Sequence, residues 1–496
     1  MSRRAPRLLA IDQGTTGTTV LVLDARARVV ARGYAELPQH FPRPGWVEHR
    51  GEEIWATTRR ALAAALRADP ARGTSVLAIG ITNQRETALL WDRRTSRPVA
   101  PAIVWQDRRT AARCAALRRA GKEPWVRRRT GLRFDPYFSA TKVEWMLRAR
   151  PELRRAARRG ALAFGTVDSW LLWNLTGGAM HATDPTNASR TLLYDIRRGR
   201  WDDELGALFG VPAALLPEVL PSAGTFGVTR GVPGLPDGIP IQGIAGDQQA
   251  ALFGQGCTAA GGIKNTYGTG CFLMLHTGGR PIASRAGLLT TIACGPKGEP
   301  AYALEGSIFI AGAAIQWLRD GLGVIGSAAE SETLARSVPD AGGTHLVPAF
   351  AGLGAPHWRP EARGLWCGIT RGTTRAHLAR AALESIAFQT RDVVVAMERD
   401  AGRRVRRLLV DGGATANGLL MQLQADLLGV PLVRPAMAES TALGAALLAG
   451  IGAGLWPDRG AAPVSSRARV VRPRIGRAER ERRARAWSEA VSLLLG

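Results

Sequence analysis

Leu8-Leu9-Ala10-Ile11-Asp12-Gln13-Gly14-Thr15-Thr16-Gly17 decides the fold, because its pattern returns at residues 263–275. Leu8 to Ile11 is a short apolar run and predicts a buried strand. Asp12 to Gly17 predicts a turn, and Thr18 to Leu23 a second strand, β-branched and apolar. The hairpin tip carries a carboxylate, two glycines and adjacent hydroxyls. Glycine lets a phosphate approach the backbone, hydroxyls donate hydrogen bonds, and a carboxylate can hold Mg²⁺ through water. The plainer alternative is an ordinary polar tip, but the residues from Asp12 to Gly17 all suit phosphate chemistry. Further on, Gly262 to Asn265 and Cys271 to Leu275 flank Thr266-Tyr267-Gly268-Thr269-Gly270. The echo predicts two related halves, each lending a phosphate-binding hairpin to a shared cleft.

Between these hairpins stands Gly243-Ile244-Ala245-Gly246-Asp247-Gln248-Gln249-Ala250. The residues up to Gly246 read as a loop, and Gln249 to Phe253 as the first turns of an apolar helix. Asp247 is then at or just before a helix start, where a negative charge is favoured. An N-cap aspartate is the simple reading; a catalytic base is the functional one, and it needs partners elsewhere.

Candidate partners lie along the chain. Val76 to Ile81 predicts a strand, after the amphipathic helix Glu52 to Ala68. Arg85 and Glu86 follow it and can share a small ligand only if the strand has ended. An Arg beside a Glu offers donors and acceptors, which suits a neutral polyol; a surface ion pair is the alternative. Tyr137, in a turn before a helix from Thr141 to Arg148, could offer a ring wall and a hydroxyl. Near the end, strand Leu408 to Val410, Asp411-Gly412-Gly413, helix Gly418 to Leu428 and strand Pro431 to Val433 form a βαβ unit. Its glycine pair follows the strand's carboxyl end, where open α/β sheets bind ligands. GxxxxGK[ST] and GxGxxG do not occur, so a P-loop and a nicotinamide site are not indicated.

The chain has 496 residues, more than one ordinary core needs, which suggests two or more domains. With 46% hydrophobic and 22% charged residues, the composition is globular. The net charge of +25 suggests nucleic acid or an anionic surface at first. Yet the cations are nearly all arginine and are spread along the chain, which argues for solvated faces and against nucleic acid as the main partner. Five cysteines lack CxxC or zinc spacing and fit a reduced, cytoplasmic compartment. The histidines form no metal motif. The basic start Met1 to Arg7 precedes too short an apolar run for a signal peptide, and Thr441 to Pro457 falls short of a membrane span. Arg472 to Arg485 reads as a basic helix with a solvated face.

Several longer stretches, in the same order, resemble the FGGY carbohydrate kinase family, in its glycerol-phosphorylating branch. They include Asp12-Gln13-Gly14-Thr15-Thr16, Pro44-Gly45-Trp46-Val47-Glu48, Ile81-Thr82-Asn83-Gln84-Arg85-Glu86-Thr87 and Asp135-Pro136-Tyr137-Phe138-Ser139. Gly165-Thr166-Val167-Asp168, Thr186-Asn187-Ala188-Ser189-Arg190-Thr191, Gly243 to Gly254, Lys264 to Phe272, Gly352-Leu353-Gly354-Ala355-Pro356 and Asp411-Gly412-Gly413 continue the match. The resemblance implies an α/β fold of two ribonuclease-H-like domains, as in the actin and hexokinase ATPases, closing around a central cleft. We expect residues 1–252 to carry the polyol site and first phosphate hairpin, and 253–496 the nucleotide site. It implies transfer of the γ-phosphoryl group of ATP, with Mg²⁺, to glycerol, giving sn-glycerol 3-phosphate and ADP. By position it implies glycerol contacts from Arg85, Glu86, Tyr137, Asp247 and Gln248, with Trp105 and Phe272 as apolar walls. Thr15, Thr16 and Gly17 are implied at the first phosphate loop and Thr269 at the second, with Gly312, Gln316, Gly413 and Asn417 around the nucleotide. Asp247 is the implied general base, and Asp12, together with Asp247, the implied Mg²⁺ group. A homo-oligomer, dimer or tetramer, is also implied. Two positions depart from the family pattern: Thr19 stands where Arg or Lys is usual, and Gly17 where a hydroxyl is. Gly238 replaces an Arg of relatives controlled by fructose 1,6-bisphosphate.

Three other readings remain open from sequence. One is a sibling kinase for a pentulose or other polyol. Another is an ATP-gated module without catalysis. The last is a nucleic-acid binder, which would show a steep salt dependence.

Overall fold

Strand β1 (Arg7–Gln13) pairs antiparallel with β2 (Gly17–Asp24), which pairs antiparallel with β3 (Val29–Glu36). After helix α1 (Gly51–Ala68), β4 (Val76–Asn83) and β5 (Ile241–Gly246) add to the sheet in parallel. The spatial order is β5-β4-β1-β2-β3. The computed structural model describes residues 6–70, 76–359, 361–437, 439–465 and 467–496; of the basic start, Met1 to Ala5 lie outside the described residues.

Helix α2 (Asp247–Gly254) leads into the second half. There β6 (Ile263–Tyr267), β7 (Cys271–Gly278), β8 (Leu289–Cys294) and β9 (Pro300–Ile308) form antiparallel neighbours in the order β8-β9-β7-β6. Helices α3 (Gly312–Asp320) and α4 (Arg375–Ala401) follow, then β10 (Leu408–Asp411), helix α5 (Gly418–Leu428) and β11 (Leu432–Pro435). β10 joins β6 in parallel and β11 joins β10, so the second sheet repeats the plan of the first. In each, the first strand of an antiparallel hairpin gains parallel strands on its other side; the antiparallel part has three strands in the first sheet and four in the second. This is the strand logic expected when a short hairpin seeds a sheet and longer crossovers extend it.

Helix α6 (Ser440–Gly452) is small and apolar on all sides, as a helix buried on every face must be. It lies on the first sheet, against β1, β2, β4 and β5, and against α2. Leu8, Ala10, Leu21 and Leu23 share one buried cluster with Ala442 to Ala449. The contact is backbone-close. A Cβ on Gly444 would stand 1.9 Å from the Ala250 carbonyl oxygen. The same contact corrects the loop reading before Gly246: residues 241–246 are a strand, and a Cβ on Gly243 would stand 2.5 Å from the Ala449 nitrogen. Glycine there serves close strand-to-helix packing, which sequence patterning confuses with a turn.

Strand β12 (Ala468–Val471) and helix α7 (Arg477–Leu495) end the chain. The exposed arginines of α7 pair along the helix, Arg477 with Glu481 at 2.6 Å and Arg482 with Glu479 at 2.8 Å. Its Trp487 stacks on Phe388 of α4 at 5.1 Å and donates to Asp392 at 2.7 Å. Burial pushes the Asp392 carboxyl up to about 6. The native state thus holds this proton more tightly than the unfolded chain does, and the resulting stabilisation is lost as pH rises from about 4 through about 6. Asp392→Asn keeps an acceptor for Trp487 and never ionises. It should stabilise the protein at pH 8 by on the order of 1–3 kcal/mol and much less at pH 4.5, read as denaturant midpoints. Equal effects at both pH values would refute this account.

Candidate functional site

β4 ends at Asn83, and the chain turns sharply, with Glu86 at φ +62°. Arg85 and Glu86 therefore share one side, and Arg85 Nε lies 3.7 Å from Glu86 Oε1. The Glu86 carbonyl accepts from Ser139 Oγ at 3.1 Å and Lys142 Nζ at 3.0 Å, which fixes the unusual backbone. Burial lowers the Lys142 amine to about 7.

Around this turn four charges are buried together. Arg85 grips Glu305 of β9 through two bonds, Nη1–Oε2 at 2.7 Å and Nη2–Oε1 at 3.2 Å. Arg190 joins Glu86 at 2.6 Å and Glu305 at 2.9 Å. Burial would raise the Glu305 carboxyl, but Arg190 and Arg85 hold it down at about 2. Burial likewise favours protonated Glu86, opposed by Arg85 and Arg190, and its pKa stays raised. Arg190 Nη1 is buried and has no hydrogen-bond partner. Neither Arg190 nor Glu305 was singled out from sequence. Both lie far along the chain from Arg85, and each looks like an ordinary helix-turn or strand residue until the sheets are assembled.

Asp247 is the first residue of α2, and Gly246 takes the N-cap position. Its Oδ1 lies 3.2 Å from Arg85 Nε and accepts the Gln248 N–H at 2.6 Å. The side chain remains 30% exposed, so it faces open space while anchored from behind. Burial raises its pKa, against the pull of Arg85 and Lys264. Gln248 Oε1 accepts from the buried Lys264, which also donates to Thr266 at 2.7 Å. Tyr137 Oη meets Arg85 Nη2 at 3.3 Å. The rings of Tyr137 and Phe272 flank Trp105, at 5.7 and 6.2 Å between centroids.

The first hairpin tip connects to these rings directly, because Trp105 Nε1 donates to Thr15 Oγ1 at 2.9 Å. Gln84 holds the tip from below, through the Gly14 carbonyl at 3.2 Å. Thr16 is exposed. Asp12 pairs across the sheet with Thr19, and Thr19 with Tyr34, so all three share one face. A Cβ on Gly17 would stand 2.5 Å from Tyr34 Oη. Tyr34 thus fills the space that a side chain at 17 would need. Arg32 lies over the Tyr34 ring at 5.7 Å and reaches Glu439, at the N-cap of α6, at 3.4 Å. Burial and the charges of Asp247 and Glu439 push Asp12 up to about 7. Among the described residues Asp12 enters no ion pair. A carboxylate facing two others without a cation is a poor resting arrangement in an enclosed site, and a divalent cation would relieve it. No group of three or more ligand-type side chains is placed to hold a metal among the described residues. The donor set therefore fits an ion that keeps its water and leans on one or two carboxylates, as Mg²⁺ does.

The second tip sits at the start of α3. The Thr269 carbonyl accepts from Ala311 at 2.9 Å and Ala313 at 3.0 Å, and the Gly268 carbonyl from Gly312 at 3.0 Å. Thr269 and Gln316 are exposed. Beyond β10, the exposed Gly413 follows the left-handed Gly412, and Asn417 caps α5 by accepting from Leu420 at 2.9 Å. Glu332 takes the N–H groups of Gly418 and Leu419, so that helix start is already satisfied. Among the described residues no hydrogen bond or ion pair links Gln316, Gly413 or Asn417 to the Asp247 cluster.

Removing one carboxylate of the buried quartet leaves two guanidiniums against too little negative charge. Glu305→Ala should cost about 3–5 kcal/mol in stability. Chemical denaturation checks this, and a loss below about 1 kcal/mol would show that Arg85 and Arg190 find other partners.

Comparison with known proteins extends over nearly the whole chain. Residues 7–254 match the N-terminal domain, and 263–453 the C-terminal domain, of the FGGY family of carbohydrate kinases. The chain is 58% identical to a glycerol kinase of Alkalilimnicola ehrlichii, covering 98% of this chain and 97% of that protein. It is 55% identical to a glycerol kinase of Myxococcus xanthus, over 98% and 99%. The crystal structure of Plasmodium falciparum glycerol kinase with ADP superposes with a TM-score of 0.93 at 35% identity, over 99% of each chain. A xylulose kinase from Rhodospirillum rubrum superposes at 0.85 with 25% identity, over 98% of each.

Proposed function

The chain belongs to the FGGY family of carbohydrate kinases, and on that premise we infer that it is an ATP-dependent glycerol kinase. It transfers the γ-phosphoryl group of ATP to glycerol, giving sn-glycerol 3-phosphate and ADP. The observation that carries the reading is the position of Asp247. This carboxylate is tied to Arg85 behind it, lies close enough to Asp12 to repel it, and stays partly open.

In this reading glycerol is held by Arg85, Glu86, Tyr137, Asp247 and Gln248 against the rings of Trp105 and Phe272. Three hydroxyls then meet buried charged partners, and an acceptor lacking one hydroxyl leaves a partner unsatisfied. Asp247 accepts the proton of the attacking hydroxyl, a role worth about 10²–10⁴-fold. Its raised pKa makes it a stronger base than an ordinary carboxylate. Arg85 fixes its direction, and Glu305 fixes Arg85. Holding acceptor and phosphate in line supplies roughly 7–11 kcal/mol more. Thr15, Thr16, Gly17 and Thr269 line the phosphates, with Gly312, Gln316, Gly413 and Asn417 around the nucleotide. Asp12, with Asp247, would hold the Mg²⁺ of the ATP complex through water, and the ion would there supply positive charge to the phosphates. The polyol side then falls within residues 1–252 and the nucleotide side within 253–496. A cytoplasmic location is supported by five free thiols, and a homo-oligomer by the family. Among the described residues no helix is long and apolar enough to cross a membrane.

Tyr34 and Arg32 answer the two departures at Gly17 and Thr19. The Tyr34 hydroxyl stands beside Gly17, and Arg32 brings a guanidinium to the face shared by Asp12 and Thr19. Arg32→Ala should lower kcat by about tenfold, with the glycerol KM unchanged, because a cation there acts on phosphate charge rather than on the polyol. An unaltered kcat would remove Arg32 from the mechanism.

The function itself is tested by ADP release from MgATP with glycerol, with D-xylulose and without acceptor. Turnover should require glycerol, and Asp247→Asn should fold and bind ATP yet lose nearly all of it. Turnover with the pentulose alone would move the enzyme to a sibling specificity. A variant retaining over half its kcat would clear Asp247 of the base role.

A further inference from the structure

Lys142 lies near the start of the helix Ser139–Ala149 and is fully buried. Among the described residues it enters no ion pair, and the acids around it have arginines of their own. Glu86 is held by Arg190 at 2.6 Å, Asp107 by Arg109 at 2.7 Å and Asp135 by Arg108 at 2.8 Å. A buried amine is costly, and burial lowers the grip of this one on its proton. Its place is therefore explained by its N–H groups rather than by its charge. They go to two carbonyls, that of Glu86 at 3.0 Å and that of Tyr137 at 2.7 Å. An amine that has shed its proton keeps two N–H groups, so both bonds survive titration.

Both carbonyls belong to segments of the glycerol site. The Thr87 N–H closes a three-residue turn onto the Arg85 carbonyl at 2.8 Å, with Glu86 in its middle at φ +62°. Such a turn is rare and strained for a residue with a side chain. It persists only where the surroundings over-determine it. Here Lys142 and Ser139 Oγ converge on the Glu86 carbonyl, and Arg190 holds the Glu86 carboxylate. The same amine reaches the main chain of Tyr137, whose hydroxyl meets Arg85 Nη2 at 3.3 Å. One side chain thus ties together Arg85, Glu86 and Tyr137.

We propose that Lys142, with Ser139, forms a positioning pair that sets acceptor affinity and specificity by holding the Arg85–Glu86 turn fixed against Tyr137. The pair acts through those residues and not on substrate itself, and the role rests on the glycerol site proposed above. A rigid turn leaves a buried group unpaired when the acceptor lacks a hydroxyl. A loosened turn lets that group find another partner, and discrimination falls.

Steady-state kinetics on the full chain test this with Lys142→Met, Ser139→Ala and Thr141→Val. Methionine keeps most of the length of lysine and removes both donors. Thr141 is buried on the same helix but bonds Thr110 at 2.8 Å. In Lys142→Met the glycerol KM should rise by about tenfold or more, the scale of a lost buried hydrogen bond, with the MgATP KM within about twofold. Its preference for glycerol over at least one of 1,2- and 1,3-propanediol, read as a ratio of kcat/KM, should shrink by a similar factor. Ser139→Ala, which leaves Lys142 in place, should raise the glycerol KM by about threefold, and Thr141→Val by less than about twofold. Both KM values rising together, an unchanged glycerol KM or preference in folded Lys142→Met, or an equal rise in Thr141→Val would overturn the role. Where circular dichroism shows Lys142→Met unfolded, an unchanged glycerol KM in Ser139→Ala overturns it. Wild-type protein that turns over no glycerol would overturn the function first, and this role with it.

Discussion

The buried pairing of Arg85 with Glu305 is the constraint on which the rest depends. One residue follows β4, the parallel strand beside β1 in the first sheet, the other sits inside the second sheet, and neither side chain is more than 1% exposed. Two such charges in low dielectric are tolerable only together and only in good geometry. Arg190 and Glu86 complete a neutral set of four, so the turn at residues 84–87, the loop carrying Arg190 and the strand carrying Glu305 must all arrive in register. The partly open Asp247 then has a fixed cation at its back without any dedicated support of its own. Stability and catalytic aim come from the same network, which is why the site can keep charged groups out of water.

Much of the scaffold was legible because strands and hairpins leave local marks. The apolar runs at Leu8 and Leu408, the Gly–Thr tips and the βαβ unit at 408–435 were read from neighbours in sequence, and the elements formed where the pattern said. Helix starts gave Asp247 its place. Gly243 misled, since a glycine needed for contact with a distant helix looks the same as one needed for a turn. The short strand Ala468–Val471 carries no clear apolar run and directly precedes the basic stretch Arg472 to Arg485, so nothing in the sequence marks it. Arg190 and Glu305 were beyond reach for a different reason. Their significance is relational, set by partners more than a hundred residues away, and no spacing rule connects them.

The first phosphate hairpin illustrates how a missing side chain can be replaced from a neighbouring strand. Position 17 carries none, yet Tyr34 occupies the volume in front of it; position 19 carries no charge, yet Arg32 stands on the same face two residues away from its cross-strand partner. Cross-strand neighbours in an antiparallel pair are about as close as residues in contact along a helix, so chemistry can migrate between strands while the face keeps its character. A sequence comparison that scores each position alone registers two losses where the sheet registers an exchange.

Helix α6 bears on how the molecule is made. Its sequence lies far along the chain from the strands it covers, yet its apolar surface completes the core over Leu8, Ala10, Leu21 and Leu23, which leave the ribosome long before it. During synthesis the hairpin β1–β2 must wait, with one face bare, for some four hundred further residues to appear, and the completed sheet for about two hundred after β5. An exposed apolar sheet face is a standing invitation to misassembly. Translation speed and chaperone access over that interval are therefore part of the physical specification of this fold, as much as the contacts of the finished molecule.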